Sequence, residues 1–165
     1  MTPPVRPDPA TLSRAERAVG AVVHGAARIP GVRRVVLGRA IALPGFWFAT
    51  ACAWLWGRLL GGRYRRAGGI RYFEGMPGWA FGRGGTTIGA IYLTSTNTGA
   101  AVLEHEAVHV AQWRRYGLAF IPLYVAAGSP ALTNRFEVEA GLEKGGYVRT
   151  RRPAPRPGGF PGRTP

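Results

Sequence analysis

Two of the three histidines in this chain lie four residues apart, within the segment VLEHEAVHVAQW at residues 102–113. Glu106 follows His105 directly, and His109 completes the pattern H-E-x-x-H. If the segment is helical, the two histidines share a face with their Cβ atoms about 5–6 Å apart, so both imidazoles can reach one atom. Neutral imidazole nitrogens are good Zn²⁺ ligands, and an adjacent carboxylate can hold a reacting water. The pattern predicts a metal site on one helix.

The alternative is a pair of core histidines that bond to the backbone or to Glu104 and Glu106. Apolar residues surround the histidines on most sides, so the helix is expected to lie deep in the fold. Burying two imidazoles and a carboxylate there without partners would cost several kcal/mol. Five of the eight acidic residues also lie between residues 104 and 143 of a chain whose net charge is +14. We favour the metal site because it accounts for the buried histidines and the acidic cluster together.

The elements that must position this helix alternate between helical and strand-like patterns. Residues 70–75 and 86–95 are rich in β-branched and aromatic residues, which predicts a β-hairpin or small meander. Apolar spacing and glycine or proline stops predict the helices. The expected fold class is α+β, mainly helical, with the hairpin or meander packed beside a central H-E-x-x-H helix. The predicted helical segments are 12–29 (capped by Ser13 or Thr11), 44–61, 99–116 and 135–144, with a further apolar segment at 118–129.

The length of 165 residues is enough for one domain with a core and too short to expect two. Residues 1–10 carry four prolines, and residues 149–165 are rich in arginine, proline and glycine. Neither end can bury much apolar surface, so both are predicted to be disordered tails. The metal-binding domain is expected to cover residues 11–148.

The strong positive charge raises the question of a nucleic-acid or anionic-membrane partner. All but one of the 22 basic residues are arginine, and no helix carries a continuous basic stripe or an aromatic-interleaved recognition motif. We therefore expect no specific nucleic-acid partner. Cys52 is the single cysteine, which excludes an internal disulfide, and it is predicted to be a small buried hydrophobe. Since no secretory signal is visible, a cytoplasmic location is expected.

Membrane association is a separate question. Residues 41–57 and 117–132 contain no charged side chain. Each segment falls short of the roughly 20 residues that span a bilayer, and each is interrupted by proline. The first is flanked by arginines and contains tryptophans and phenylalanines, which favour membrane interfaces. We expect a helix over 41–57 that is mostly buried against the protein body, with peripheral membrane association as the alternative.

The motif and its surroundings resemble the glutamate-type zincins. Val110 and Gln112 follow H-E-A-V-H, and F-E-V-E-A lies about thirty residues downstream. Within the zincins the chain looks most like the short bacterial HExxH-V-x-Q domains, some of them associated with contractile injection systems. It is also similar to the membrane heat-shock and prenyl-protein zinc peptidases, whose third ligand lies in E-x-x-A-D. The matching residues are His105, Glu106, His109, Glu137 and Ala140, while Gly141 stands where that aspartate would be.

The resemblance implies one catalytic Zn²⁺, held by His105, His109, a glutamate and water, in an enzyme that hydrolyses a peptide or protein substrate. Glu106 would act as the general base, taking a proton from that water and returning it to the leaving amine. The strand within 86–95 would be the natural edge for an extended peptide to pair with. Because Gly141 replaces the aspartate, the bond that usually orients a ligand histidine lacks its usual acceptor.

Glu137 and Glu139 compete for the place of the third ligand. The two lie about 200° apart on a helix, so only one can face the histidines. Glu137 shares its face with the small residues Ala140 and Gly141, which would let the two helices approach closely, whereas Glu139 has the pattern of a solvated side. We predict Glu137. The competing interpretation is a capping box in which Asn134 is the cap and Glu137 bonds a backbone N–H.

The sequence therefore favours a zinc metallopeptidase-like protein with catalytic Glu106 and metal ligands His105, His109 and Glu137. One alternative is an inactive zincin-fold binding or scaffold module, since a small chain leaves little material for a substrate cleft. Another is a basic membrane-surface protein whose H-E-x-x-H is accidental. The oligomeric state is not indicated. No oxyanion-stabilising residue is assigned; the candidates, each of which also fits a packing or surface role, are Tyr116, Tyr124, Tyr147 and Arg135.

Overall fold

The computed structural model describes residues 9–82 and 84–148. The predicted tails, 1–10 and 149–165, lie outside this part of the chain except for residues 9 and 10, which belong to a short 3₁₀ helix, Pro9–Thr11. The fold is α+β and mainly helical, as predicted, with one small sheet. The helices are α1 (Arg14–Arg28), α2 (Val32–Val36), α3 (Arg39–Leu59), α4 (Ala100–Tyr116), α5 (Phe120–Ala126) and α6 (Arg135–Ala140), and the strands are β1 (Arg63–Ala67), β2 (Ile70–Glu74), β3 (Thr86–Ile88) and β4 (Ile91–Leu93).

The first helix, α1, begins at a capping box. The Ser13 hydroxyl accepts a hydrogen bond from the Glu16 N–H, and the Glu16 carboxylate accepts one from the Ser13 N–H. The other carboxylate oxygen of Glu16 accepts from the backbone N–H and the hydroxyl of Ser129. This carboxylate therefore ties the start of α1 to the loop that follows α5. The predicted helix over 12–29 is confirmed, and Ser13 rather than Thr11 is its cap.

The longest helix, α3, packs on the sheet through small residues. It begins at Arg39, before the predicted residue 44, and includes Pro44. A Cβ at Gly57 would lie 2.5 Å from the ring of Phe73, so only glycine allows this approach. Its buried residues form one stripe and most are small: Ala42, Gly45, Phe46, Ala49, Thr50, Ala53 and Gly57.

Most of the larger side chains of α3, with Phe46 as the exception, point away from the protein body. Trp47, Phe48 and Leu55 are 57%, 62% and 54% exposed. The expectation that residues 41–57 are mostly buried is therefore wrong, because the close packing uses the small residues and leaves the bulky ones outside. The expectation of a buried Cys52 is also wrong, since Cys52 lies off the buried stripe and is exposed. By length and composition α3 could cross a membrane, but 33% of its most apolar window is buried and some soluble core helices pass the same test.

The sheet has the strand order β1-β2-β4-β3 and mixed directions. β1 and β2 form one antiparallel hairpin, β3 and β4 form a second, and β2 and β4 join the hairpins in parallel. The single hairpin or meander predicted from 70–75 and 86–95 is therefore corrected to two hairpins. β1 was not predicted because its sequence, RYRRA, does not alternate between apolar and polar residues. All five of its residues are exposed, so no face of the strand is buried.

Two helices cover the two faces of the sheet. Phe73, Ile91 and Leu93 face α3 and pack against Ala53. On the other face, Tyr92 and its neighbours pack against α4; this cluster consists of Ile70, Tyr72, Tyr92 and Leu103. A third cluster holds the helices together beside the sheet and consists of Phe46, Ala49, Trp113, Phe120, Ala127 and Phe136.

Glycines end both helices that carry the motif residues. α4 ends at Gly117, where φ is 55° and an added Cβ would lie 2.4 Å from the Ala42 carbonyl oxygen. The chain therefore turns against α3 at a place that only glycine can occupy. α6 ends at Ala140 because Gly141 has a φ of 95°, so the predicted end at residue 144 is too late.

Candidate metal centre

Three buried side chains converge where α4 meets α6. His105, His109 and Glu137 are 2%, 7% and 3% exposed, and one ligand atom of each lies within 4.8 Å of the others. The two imidazole Nε2 atoms are 3.1 Å apart. The Glu137 carboxylate oxygens lie 3.2 Å from His105 Nε2 and 3.4 Å from His109 Nε2. This buried group could hold a metal ion.

The backbone after α6 orients the imidazole of His105. Its Nδ1 lies 3.1 Å from the carbonyl oxygen of Gly141. Because a carbonyl oxygen only accepts, Nδ1 carries the proton and Nε2 presents a lone pair. Gly145 packs so closely on the ring that an added Cβ would lie 2.7 Å from His105 Cε1. The Gly141 carbonyl thus serves as the hydrogen-bond acceptor that an aspartate at this position would otherwise provide.

Gln112 orients the imidazole of His109. Its Nε2 donates to the Phe136 carbonyl oxygen at 3.1 Å and to the Glu139 carboxylate at 3.0 Å. The amide oxygen of Gln112 is therefore the acceptor for His109 Nδ1, at 2.8 Å. His109 accordingly also carries its proton on Nδ1 and presents its Nε2 lone pair to the centre.

The three converging groups are all electron-pair donors. Two neutral imidazoles and a carboxylate at these distances repel one another unless a proton or a cation lies between them. Glu137 Oε2 is buried and accepts no well-oriented hydrogen bond, although His105 Nε2 lies near it. An unsatisfied buried carboxylate oxygen is costly, and a metal ion would satisfy it together with both imidazoles. The residues present therefore fit a metal ion with nitrogen and oxygen ligands.

The charge on Glu137 favours cation binding. Burial opposes ionisation, but without an ion a proton shared with the two imidazoles, together with the hydrogen bond from the Tyr124 hydroxyl, holds the pKa of Glu137 well below its usual range. Burial likewise tends to lower the pKa of His109, and the Glu137 carboxylate outweighs it, so that this pKa is raised. The ionised form of Glu137 is thus favoured beside the two imidazoles.

Glu137, and not Glu139, faces the histidines. Asn134 caps α6 by accepting a hydrogen bond from the Phe136 N–H, but in the described part of the chain Glu137 does not complete a capping box. Glu137 instead turns toward the imidazoles, while Glu139 is exposed and accepts from Gln112. The face assignment made from helix geometry is therefore confirmed, although Glu139 holds Gln112 as well as facing solvent.

Tyr124 of α5 supports the carboxylate from the opposite side. Its hydroxyl donates to Glu137 Oε1. Burial, reinforced by the Glu137 charge, raises the pKa of Tyr124, so the hydroxyl stays protonated and remains a donor. One of the oxyanion candidates, Tyr124, is thus hydrogen-bonded to Glu137.

Glu106 lies next to the centre without belonging to the converging group. Its carboxylate accepts a hydrogen bond from the Thr87 hydroxyl of β3 at 2.7 Å. Burial raises the pKa of Glu106, and Thr87 and the two histidines only partly offset that effect. A buried carboxylate held by one neutral donor has the chemistry of a proton acceptor.

A cleft of about 550 Å³ exposes the centre, and Glu106 lines it. Among the oxyanion candidates, Tyr124 and Tyr147 line this cleft. Tyr116 instead stacks on a core phenylalanine, and Arg135 lies 4.5 Å above the Phe136 ring. The apolar part of the cleft wall consists of Ile88, Trp113, Phe120, Ile121, Val125 and Ala131.

Sequence reasoning missed three groups that position the site: the Thr87 hydroxyl, the Gln112 amide and the Gly141 carbonyl. Gln112 carried a usable signal, because three residues after His109 it lies on the same helix face. Thr87 is 19 residues from Glu106 in sequence and comes from a strand, so no local pattern links them. The Gly141 carbonyl is backbone and carries no residue signature.

No protein-family model, curated protein or solved structure matches the chain. The functional assignment therefore rests on the geometry of His105, His109, Glu137 and the adjacent Glu106.

Proposed function

We propose that this chain is a zinc metallopeptidase-like protein that hydrolyses a peptide bond with Glu106 as the general base. One observation carries the proposal. Two imidazole Nε2 atoms and the Glu137 carboxylate converge on a single point, and a second buried carboxylate, that of Glu106, stands beside them on the same cleft. A purely structural metal site needs no such free carboxylate.

Zinc is the metal that this ligand set fits best. Two histidines and one glutamate with a side open to a cleft are typical of a catalytic zinc site, whereas structural zinc sites are closed by four protein ligands. His105, His109 and Glu137 would hold the ion, with their orientation fixed by Gly141, Gln112 and Tyr124 respectively. Bound zinc would supply Lewis acidity that polarises the scissile carbonyl and makes water more acidic.

Glu106 would move the proton. Thr87 fixes one carboxylate oxygen, which leaves the other able to accept a proton from an attacking water. Its raised pKa then allows Glu106 to hold that proton and to deliver it to the amine that leaves. Proton transfer of this kind contributes about 10²–10⁴-fold to a rate.

The cleft and the edge strand β3 are the two features that would contact a substrate. The cleft removes the objection that a chain of this size has no room for one. β3 is an edge strand beside Glu106, as the interpretation of 86–95 requires. The Trp113 indole, however, already donates to the Thr87 carbonyl at 2.8 Å, so part of this short edge is engaged. Pairing of a peptide with β3 stays a prediction.

The test is Glu106→Gln, measured by metal content and by cleavage of denatured casein. We expect one zinc per chain in both proteins, and a loss of at least about 10²-fold in cleavage rate in the variant. Glu104→Gln is the matched control: Glu104 lies on the same helix but is exposed and pairs with Lys144 at 2.7 Å, so it should retain full activity.

Two results would replace the proposal. Loss of zinc from Glu106→Gln would make Glu106 a ligand rather than the base. A zinc-loaded wild-type protein that cleaves neither casein nor a peptide library would instead support the binding or scaffold module.

A further inference from the structure

The outward side of α3 is an extended apolar surface. Six large side chains form what we call the α3 face, and they are between 47% and 71% exposed. At 3.6 residues per turn they fall within about 140° of the helix circumference and extend over about 27 Å. They are Ile41, Trp47, Phe48, Trp54, Leu55 and Leu59.

Such a surface is unusual for a monomer in water. Soluble monomers rarely leave contiguous apolar patches larger than a few hundred Å², and larger ones mark partner or membrane sites. Charged residues appear only at the two ends of α3, at Arg39 and Arg58, and the guanidinium of Arg58 lies 5.5 Å from the centre of the Trp54 ring. The α3 face therefore combines an apolar centre with a cation, Arg58, at its C-terminal end.

A groove with two arginines adjoins the α3 face. Trp47 and Trp54 form one wall, and Tyr64, Arg66 and Arg71 of the first hairpin form the other. Arg66 and Arg71 are direct cross-strand partners, which places two like charges side by side. Within residues 9–82 and 84–148 neither is ion-paired, because the nearby Glu74 pairs with Arg63 and Arg65 instead. Two like charges side by side repel each other, and a bound anion would relieve that repulsion.

We propose that the α3 face, together with Arg66 and Arg71, binds the surface of a membrane that contains anionic phospholipid. Aromatic side chains and leucines would enter the boundary between headgroups and acyl chains, and the arginine pair would contact lipid phosphate. The helix lies along the surface rather than across it, because its opposite stripe packs on Phe73 and the rest of the sheet. Extracting α3 to span a bilayer would uncover that core.

A second copy of the chain is the main competing occupant. Two copies with a net charge of +14 each, meeting face to face, would bring the unpaired arginines beside each α3 face together. Anionic lipid neutralises those same groups. Charge complementarity therefore favours the membrane.

The first experiment uses the intact wild-type protein. We expect it to sediment with vesicles of equimolar phosphatidylcholine and phosphatidylglycerol, and at least about 10-fold less with phosphatidylcholine alone. Phosphatidylglycerol with brominated acyl chains should quench its tryptophan fluorescence, since Trp47 and Trp54 would enter the acyl boundary. Equal binding to both vesicles, or binding without quenching, would overturn the proposal.

Matched double variants locate the surface. Phe48→Ser with Leu55→Ser should weaken vesicle binding by at least about 10-fold, while Leu132→Ser with Val138→Ser, exposed at similar levels away from α3, should not. Arg66→Gln with Arg71→Gln should lose roughly 5-fold per arginine, and more than the equally charged Arg114→Gln with Arg115→Gln.

Zinc content and circular dichroism show whether each variant is folded. The quenching experiment uses only the wild-type protein, so its result does not depend on the folding of any variant. If light scattering instead shows a wild-type dimer that Phe48→Ser with Leu55→Ser dissociates, the α3 face is a contact between copies and the membrane proposal is wrong.

Discussion

His105 and His109 each carry the ring proton on Nδ1, because each Nδ1 faces an oxygen atom that can only accept a hydrogen bond. The acceptors are the Gly141 carbonyl and the Gln112 amide oxygen. Both Nε2 lone pairs are therefore aimed at the Glu137 carboxylate before any ion arrives, which reduces the conformational entropy lost on binding one. At the scale of single residues, the candidate site depends as much on these orienting groups as on the ligands.

The two glutamates of α6 have different predicted roles: Glu137 is the proposed metal ligand, and Glu139 holds the amide of Gln112. Glu137→Gln should lower zinc affinity by at least about 10²-fold, because it removes the charged ligand that both imidazoles face. Glu139→Gln should lower it by about 10-fold or less, since Glu139 acts only through the Gln112 amide. Competition against a zinc-binding dye measures both affinities. A larger loss in Glu139→Gln would show that the wrong carboxylate is assigned.

At the scale of elements, one carboxylate links the start of α1 to the loop after α5. Hydrogen bonds from the Ser129 hydroxyl, and then from Ser13, lower the pKa of Glu16 from its ordinary 4.5 to about 2. A folded-state pKa below the unfolded value stabilises the fold when the group is ionised. This contribution is therefore complete above about pH 4.5 and disappears as the pH falls toward 2.

Glu16→Gln should therefore lower the melting temperature at pH 7 and have little effect near pH 2.5. At neutral pH the loss is about 1 kcal/mol, since charge-assisted hydrogen bonds are roughly twice as strong as neutral ones. Thermal unfolding of wild type and variant across this pH range measures the difference. The exposed Glu143, changed to Gln, is the control and should show no such trend. A difference that grows on acidification would refute the link.

At the scale of the whole molecule, the candidate metal centre adds a polar contact to helices that also share an apolar cluster, through Trp113 of α4, Phe120 of α5 and Phe136 of α6. α4 and α6 meet at His105, His109 and Glu137, and α5 adds Tyr124. α3 covers one face of the sheet and α4 the other, and beside the sheet the two helices meet in the third cluster. Loss of the ion would therefore remove the polar link among α4, α5 and α6 and leave the apolar clusters in place.

Removing the ion should lower global stability. A ligand at 100 times its dissociation constant stabilises a protein by about 2.7 kcal/mol, which is several degrees in melting temperature for a chain of this size. Chelation of the wild type should produce that decrease. His109→Ala should melt at the same temperature with and without chelator, whereas the exposed His24→Ala control should respond as the wild type does. Identical melting of wild type with and without chelator would exclude the metal centre.

The sequence alone determined the features that depend on local spacing. Four-residue spacing placed His105 and His109 on one face, and Ser13 or Thr11 was the expected cap at the start of α1. Helix geometry allowed only one of Glu137 and Glu139 to face the histidines, and the small residues on its face favoured Glu137. The α+β, mainly helical class followed from the same periodicities. These inferences hold because residues close in sequence have nearly fixed relative positions once a helix forms.

The tertiary structure decided what depends on distant partners. Thr87 reaches Glu106 only because β3 runs beside α4, and the Gly141 carbonyl reaches His105 only because α6 ends there. The exposure of α3 likewise could not be read from its composition, since a buried helix and a surface helix can be equally apolar. Which side of α3 is covered depends on where Gly57 and the small residues near it meet the sheet, and that contact is set by packing between segments far apart in the chain.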